Sequence, residues 1–234
     1  MVDLNKVKPE NLWYVVGLIA ADGNLSPNKR HINITSKDRE YLFLIRDALG
    51  LQSAVGRKAR GVETEKKYSV LQFSDVGFYD YLVNVGLCSK KSLVLGKIEI
   101  DSRYFKDFLR GVIDGDGCIR GWVHKSNGHQ QWSLDITSAA PVFIRWLKEE
   151  IENKLHVKGR LYTHLHKGKK NKINILKFGK LAARVIIREI YYEGALALDR
   201  KVAIGKLCLQ DKNRMVNYGG ILGPGAEIGY TELT

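Results

Sequence analysis

The chain is poor in cysteine, in acid and in long apolar runs, and each shortage removes a class of function. Cys88, Cys118 and Cys208 are odd in number, far apart and without a CxxC pair, which excludes a disulfide framework and leaves no zinc signature. They read as reduced core thiols. The six histidines include no HExxH, so a zinc-hydrolase helix is excluded as well, and His124, His129, His164 and His166 read as surface residues in strand-like stretches. No apolar run approaches the roughly 20 residues that cross a bilayer, and no signal peptide is legible at the start of the chain. A membrane or secreted protein is therefore not expected; an intracellular one, in cytoplasm or an organelle matrix, is. Acid is the most telling shortage: 25 Asp and Glu stand against 38 Lys and Arg, a formal charge of +13. Such an imbalance points to a polyanionic partner, above all nucleic acid. With 44% hydrophobic residues in 234, a real core can form and a disordered chain is not expected, the Gly-rich tail apart.

What is present is one phrase written twice, VVGLIAADG at 15–23 and LRGVIDGDG at 109–117. Each reads as an apolar helix with small residues four apart on one face, Gly17 and Ala21 or Gly111 and Gly115, which lets two helices approach backbone to backbone. Each ends in Asp-Gly, the glycine suited to the left-handed residue that closes a helix. If the helices pack together, Asp22 and Asp116 meet at one end of the seam, where the macrodipole is already negative and like charges repel. Something positive must sit there, and a divalent cation such as Mg²⁺ suits hard oxygen ligands.

The segments after each phrase repeat too. INITS is echoed by LDITS, VLQFS by ILKFG, and LVLGKI by VAIGKL, at offsets of 102, 105 and 109 residues. Helices are expected near 11–21, 38–49, 75–85, 90–95, 141–155, 180–192 and 199–207, and strands near 24–25, 31–36, 54–61, 67–74, 118–126, 130–138, 160–166 and 172–178, with a tight turn at Asn127-Gly128. The fold class expected is α+β: two pseudo-twofold related α-β-β-α-β-β-α halves with saddle-shaped antiparallel sheets and the motif helices packed at the interface. The halves would be 1–97 and 98–210, followed by a Gly-rich tail at 211–234.

Each sheet should bury one face and show the other to solvent. The period of two puts His31, Asn33, Thr35, Arg57, Tyr68 and Gln72 on the polar face of the first. In the second it puts Arg120, Trp122, His124, Gln131, Ser133, Asp135, Arg160 and Lys177 there. These residue types read base edges in a major groove, with lysines toward the turns holding phosphates. Trp122 is either a base or sugar contact or a local packing cap.

On the two motif copies the chain resembles a LAGLIDADG homing endonuclease of the single-chain, two-motif kind. The match holds at motif positions three, eight and nine in both copies: Gly17, Asp22 and Gly23, then Gly111, Asp116 and Gly117. Position six departs in the first, with Ala20 where the second keeps Asp114. The resemblance spans the chain to about Leu209. It implies that Asp22 and Asp116, with the carbonyls of Ala21 and Gly115, hold Mg²⁺ or Mn²⁺ against two scissile phosphates across a minor groove. Ca²⁺ would bind without supporting cleavage. It also implies a surround of Ser36, Lys37, Ser138, Lys91 (or Lys90, one residue away) and Arg200. Ala139 stands where the first half has Lys37, so unequal cutting of the two strands is expected. The partner implied is a long double-stranded DNA target met by a monomer, and such an enzyme is intron-encoded. The alternative is a catalytically silent maturase of its own intron RNA, or a DNA-binding regulator.

Overall fold

The computed structural model describes residues 1–59, 65–89, 91–165 and 171–211. Its first half runs α1 (Pro9–Ala21), β1 (Asn24–Leu25), β2 (His31–Ser36), α2 (Arg39–Ala48), β3 (Val55–Lys58), β4 (Tyr68–Ser74), α3 (Val76–Asn84) and α4 (Lys91–Val94). A 3-10 turn at Ser102–Tyr104 leads into α5 (Phe105–Asp116), β5 (Gly117–Val123), β6 (Gln130–Ser138), α6 (Pro141–Leu155), β7 (Arg160–His164), β8 (Ile173–Gly179), α7 (Lys180–Ile190) and α8 (Asp199–Gln210). Strand order is β1-β2-β4-β3 in one antiparallel sheet and β5-β6-β8-β7 in the other, so both halves carry one topology. The fold is the α+β class expected. The tail beyond Asp211, Lys90 and His166 lie outside the described residues.

The centre of the molecule is the pair α1 and α5. Helix α1 opens two residues earlier than its apolar pattern, on Pro9, whose missing N–H is no loss in a first turn. Every residue from Leu12 to Ala20 is buried, because the helix runs through the core against α5 and so has no wet side. The small residues do what their spacing demands. A Cβ on Gly17 would stand 2.0 Å from the Phe108 carbonyl oxygen, and one on Gly111 would stand 2.0 Å from that of Tyr14. The contact is reciprocal, as expected of a repeated seam.

Gly23 and Gly117 are needed for a different reason from the one the Asp-Gly pattern suggests. Neither has positive φ; Gly117 lies at φ −83°, ψ 157° and starts β5 directly. A side chain there would strike the preceding turn, 2.6 Å from the Ile19 Cα or the Ile113 carbonyl oxygen. The chain leaves each motif helix by folding sharply against it, and only hydrogen fits inside the bend.

The register fixes the faces. Ile32 pairs with Phe73 and Ile34 with Leu71 on the covered side of the first sheet, where Tyr41, Leu42 and Ile45 of α2 pack. Leu134 pairs with Phe178 and Ile136 with Leu176 in the second, under Phe143, Ile144 and Leu147 of α6. Of the cysteines only Cys208 is in the core; Cys88 is half-buried and Cys118 exposed, a correction to the reading of all three as core thiols.

Candidate active site and nucleic-acid interface

Asp22 is the C-cap of α1 and Asp116 the last residue of α5. A Cβ on Gly115 would lie 2.5 Å from the Ala21 Cβ and 3.6 Å from the Asp22 Cβ, so the two helices are in contact at the turn that carries both acids. Asp116 is pushed up to about 6, first by burial and then by the charge of Asp22, while Lys91 and Lys201 pull the other way. The repulsion that the sequence implies is therefore present.

Part of the positive charge expected at this point comes from the chain. The Lys91 ammonium donates to the carbonyls of Ala20 (2.9 Å) and Ala21 (2.6 Å) at the end of α1. At the end of α5 the Lys201 ammonium donates to the carbonyls of Ile113, Asp114 (2.7 Å) and Gly117 (2.8 Å). Each lysine satisfies orphan carbonyls of a helix end and meets its negative pole. Burial lowers both ammonium pKa values, Lys201 to about 8, with the nearby aspartates opposing. The echo of LVLGKI in VAIGKL sets Lys91 against Arg200, but the second-half lysine that meets the helix end as Lys91 does is Lys201, one residue on. Arg200 turns outward to Asp38 (3.1 Å) across the two halves, and Lys201 takes the inner place. A signal existed: Lys201, Gly205 and Cys208 recur at helical spacing, and they are the buried residues of α8.

Asp114, retained at position six, is buried and does structural work. Its carboxylate accepts from Tyr14 Oη (2.7 Å), Tyr191 Oη (2.6 Å) and the Leu198 N–H (2.8 Å), and Tyr14 is bonded in turn to Tyr41 (2.6 Å). Burial raises the carboxyl's pKa despite these donors, and raises all three phenols well above their ordinary range. This network ties α1, α2, α5 and the entry to α8 into one block; the sequence reading missed its tyrosines, which stand in three separate segments.

A cleft of about 710 Å³ opens beside Asp22, lined among others by Ser36, Lys37, Asp38, Lys58, Tyr68 and Arg200. Lys37 stands 5.7 Å from the Tyr68 ring centroid. Ser36 Oγ accepts from the Asp38 N–H (3.1 Å) and Ser138 Oγ from the Ala140 N–H (3.2 Å), so both serines shape the turn into α2 or α6. Ser138 and Ala139 are not among the residues lining this cleft, which lies on the Asp22 side of the seam.

On the first sheet His31, Asn33 and Thr35 share the outward face with Ser74, Gln72 and Val70. Arg57 does not: it pairs with Ser69 in the inward row, and Lys58, opposite Tyr68, is the outward residue of β3. The slip comes from β3, where Gly56 and a charged run give the period of two no apolar residue after Val55 to hold on to. On the second sheet Arg120, Trp122, Gln131, Ser133, Asp135, Arg160 and Lys177 all fall on the outward face, and His124 is exposed just beyond β5. Ser133 and Asp135 are nonetheless buried, 1% and 3% exposed, and Arg120, the cross-strand partner of Ser133, forms an ion pair with Asp135. Trp122 is 42% exposed, with the Lys177 ammonium 5.6 Å from its ring centroid.

Among the described residues no group of three or more His, Cys, Asp or Glu could hold a metal, which sets aside a closed zinc-type cage there. The seam offers two carboxylates whose repulsion a cation relieves, with other positions left to water and phosphate oxygens, a donor set that fits Mg²⁺. Of the two carbonyls expected to join them, that of Ala21 is already engaged by Lys91. Among the described residues no helix is long and apolar enough to cross a membrane.

No protein-family model matches this sequence, and no curated protein matches it. Solved structures do. The chain is similar to full-length DUF199/WhiA from Thermatoga maritima, with 15% identity over 85% of this chain and a TM-score of 0.52, and it spans 60% of that protein's length. The N-terminal LAGLIDADG domain of DUF199/WhiA gives 14% identity, 84% and 87% coverage and a TM-score of 0.52. The homing endonuclease I-DmoI in complex with DNA and Ca gives 16% identity, 83% and 97% coverage and a TM-score of 0.53. These likenesses, together with two four-stranded antiparallel sheets of one topology, show that the chain has the LAGLIDADG fold.

Proposed function

We propose that the protein is a sequence-specific endonuclease that binds a long, pseudo-palindromic double-stranded DNA target with its two outward sheet faces and hydrolyses one phosphodiester in each strand. The observation that carries this reading is the meeting of Asp22 and Asp116 at one end of the α1–α5 seam, where burial first and the charge of Asp22 second hold Asp116 at about 6. Charge of this sign, set where it destabilises the free protein, is what a functional site looks like. In an overall basic chain facing a polyanion it is useless for affinity.

Asp22 and Asp116 would hold Mg²⁺, or Mn²⁺ in its place, and that cation would supply activation of water and neutralisation of charge at the phosphate. The chain's own residues do the rest. Lys91 and Lys201 keep the helix ends from adding further negative charge. Lys37 and Arg200 place cations beside Asp22, where a phosphate backbone would pass, and nothing equivalent to Lys37 stands at Ala139. Gln72, Asn33 and His31 in one sheet, and Arg120, Gln131 and Arg160 in the other, offer donors and acceptors to base edges. The two halves make a self-sufficient pair, so the working unit is a monomer.

The second reading, a protein of the same fold that binds DNA or intron RNA without cutting, is favoured by one observation: both helix ends are already met by lysines. The deciding experiment is incubation with Mg²⁺ and a randomised duplex library, followed by sequencing of cut ends. Defined ends lost in Asp22→Asn and Asp116→Asn support cleavage; enrichment in a binding selection without any cut ends supports the silent reading.

A further inference from the structure

Asp135 is the only acid among the strand residues on the outward face of the second sheet. Across that face it lies in one row with Cys118, Lys177 and Arg160. A carboxylate in the middle of a basic surface opposes a polyanion, and this one is 3% exposed, so it does not reach a groove itself. Its Oδ2 accepts from Arg120 Nη2, while its Oδ1 is buried without a hydrogen-bond partner among the described residues. Arg120 pairs across the strands with Ser133, two residues before Asp135 on β6, so the side chains of Arg120 and Asp135 meet on the diagonal. The arginine's own side chain remains 59% exposed. One edge of its guanidinium is held from below and the remaining N–H groups are left for solvent.

We propose that Arg120 is a base-reading residue, aimed at the O6 and N7 of a guanine in the major groove, and that Asp135 is the positioning residue that holds it; this rests on the DNA-binding reading above. A guanidinium reads guanine through two parallel donors in a fixed plane, so its value lies in orientation, and a free arginine spends that orientation on rotamer entropy. A buried carboxylate under one edge fixes the plane in advance. The same arrangement explains why an acid is tolerated here: its charge is spent on Arg120, which stays charged and is pushed further up by the bond.

The test is a binding selection on a randomised duplex library in EDTA, where nothing is cut, for the whole protein and for Arg120→Ala, Arg120→Lys and Asp135→Asn. The wild type should prefer guanine at one position by roughly 5-fold or more, the lower end of a bidentate contact. Arg120→Ala and Asp135→Asn should each lose the preference at that same position while preferences elsewhere persist. Arg120→Lys keeps the charge without the fork, so it should lose the preference while the salt dependence of affinity stays as in the wild type. Asp135→Asn should bind no weaker overall, since an acid has left the interface. If the Arg120→Ala profile equals the wild-type profile at every position, or if Asp135→Asn leaves the guanine preference intact, the assignment falls while DNA binding stands. If the wild type enriches no sequence at all, it is the DNA-recognition reading that fails, and this assignment with it. Arg120→Ala strands the buried Asp135 carboxylate, so the double variant Arg120→Ala/Asp135→Asn, which leaves no charge unpaired, is run beside it and should lose the same guanine preference; a lower melting temperature in Asp135→Asn with an unchanged base profile marks a merely structural carboxylate and overturns the proposal.

Discussion

Asp116→Asn should make the metal-free protein more stable while destroying cleavage. In the folded chain the carboxyl is held at about 6 against an ordinary value of 3.8, chiefly by burial and then by Asp22. An acid whose folded pKa is raised contributes its stability in the protonated form: that contribution is full below about pH 4 and is lost as pH rises through 6. Above pH 7 the ionised carboxylate costs about 3 kcal/mol. Asparagine removes the charge at nearly constant volume but leaves a buried amide and deprives Lys91 and Lys201 of a neighbour, so roughly 1–3 kcal/mol should be gained. For a chain of this length that is a melting temperature higher by roughly 2–12 °C. The assay is thermal unfolding in EDTA at pH 8 and at pH 4.5, with strand cleavage in Mg²⁺ followed in parallel. The gain should be clear at pH 8 and shrink toward zero at pH 4.5, where Asp116 is largely protonated in the wild type. If the variant melts several degrees earlier than wild type at pH 8, or cuts at the wild-type rate, Asp116 is a helix-end carboxylate and the placement of the active site is wrong.

Lys201→Met should cost roughly 2–4 kcal/mol, because three backbone carbonyls lose their donor, whereas Arg200→Ala should cost less than about 1 kcal/mol for an exposed pair; urea unfolding of both checks this. Gly111→Ala should prevent folding to a stable state, since its methyl would sit 2.0 Å from the Tyr14 carbonyl oxygen and no rotamer relieves a backbone clash; circular dichroism and yield of soluble protein read it. Binding to a selected target should persist in EDTA and in Ca²⁺ and fall steeply with salt, whereas cleavage should stop on chelation; gel shifts and nicking assays in the same buffers separate the two, and loss of binding in EDTA would contradict the scheme. Light scattering at low concentration should give a monomer mass near 26.5 kDa, and a dimer would refute the self-sufficient seam.

Much of this molecule was legible because its local signals agree with its global ones. Gly17, Ala21, Gly111 and Gly115 sit four apart on apolar helices, and such a face serves only a close helix pair, so the seam and the meeting of Asp22 with Asp116 were readable before any coordinates. The duplication and the period of two then gave both sheets and most outward residues. Other features depend on where side chains end in three dimensions. Lys201 rather than Arg200 faces the helix end because α8 packs with Gly205 and Cys208 inward, a rotation of one residue that the IGKL echo does not encode. Arg57 and Lys58 exchange faces because β3 takes its register from β4, not from its own short pattern. Gly23 and Gly117 are required by close approach to the preceding turn rather than by φ, which no dipeptide reveals. The tyrosines around Asp114 and the ion pair of buried Asp135 with Arg120 come from segments far apart in the chain: sequence periodicity assigns a residue to a face, and only the packed structure decides which neighbour meets it.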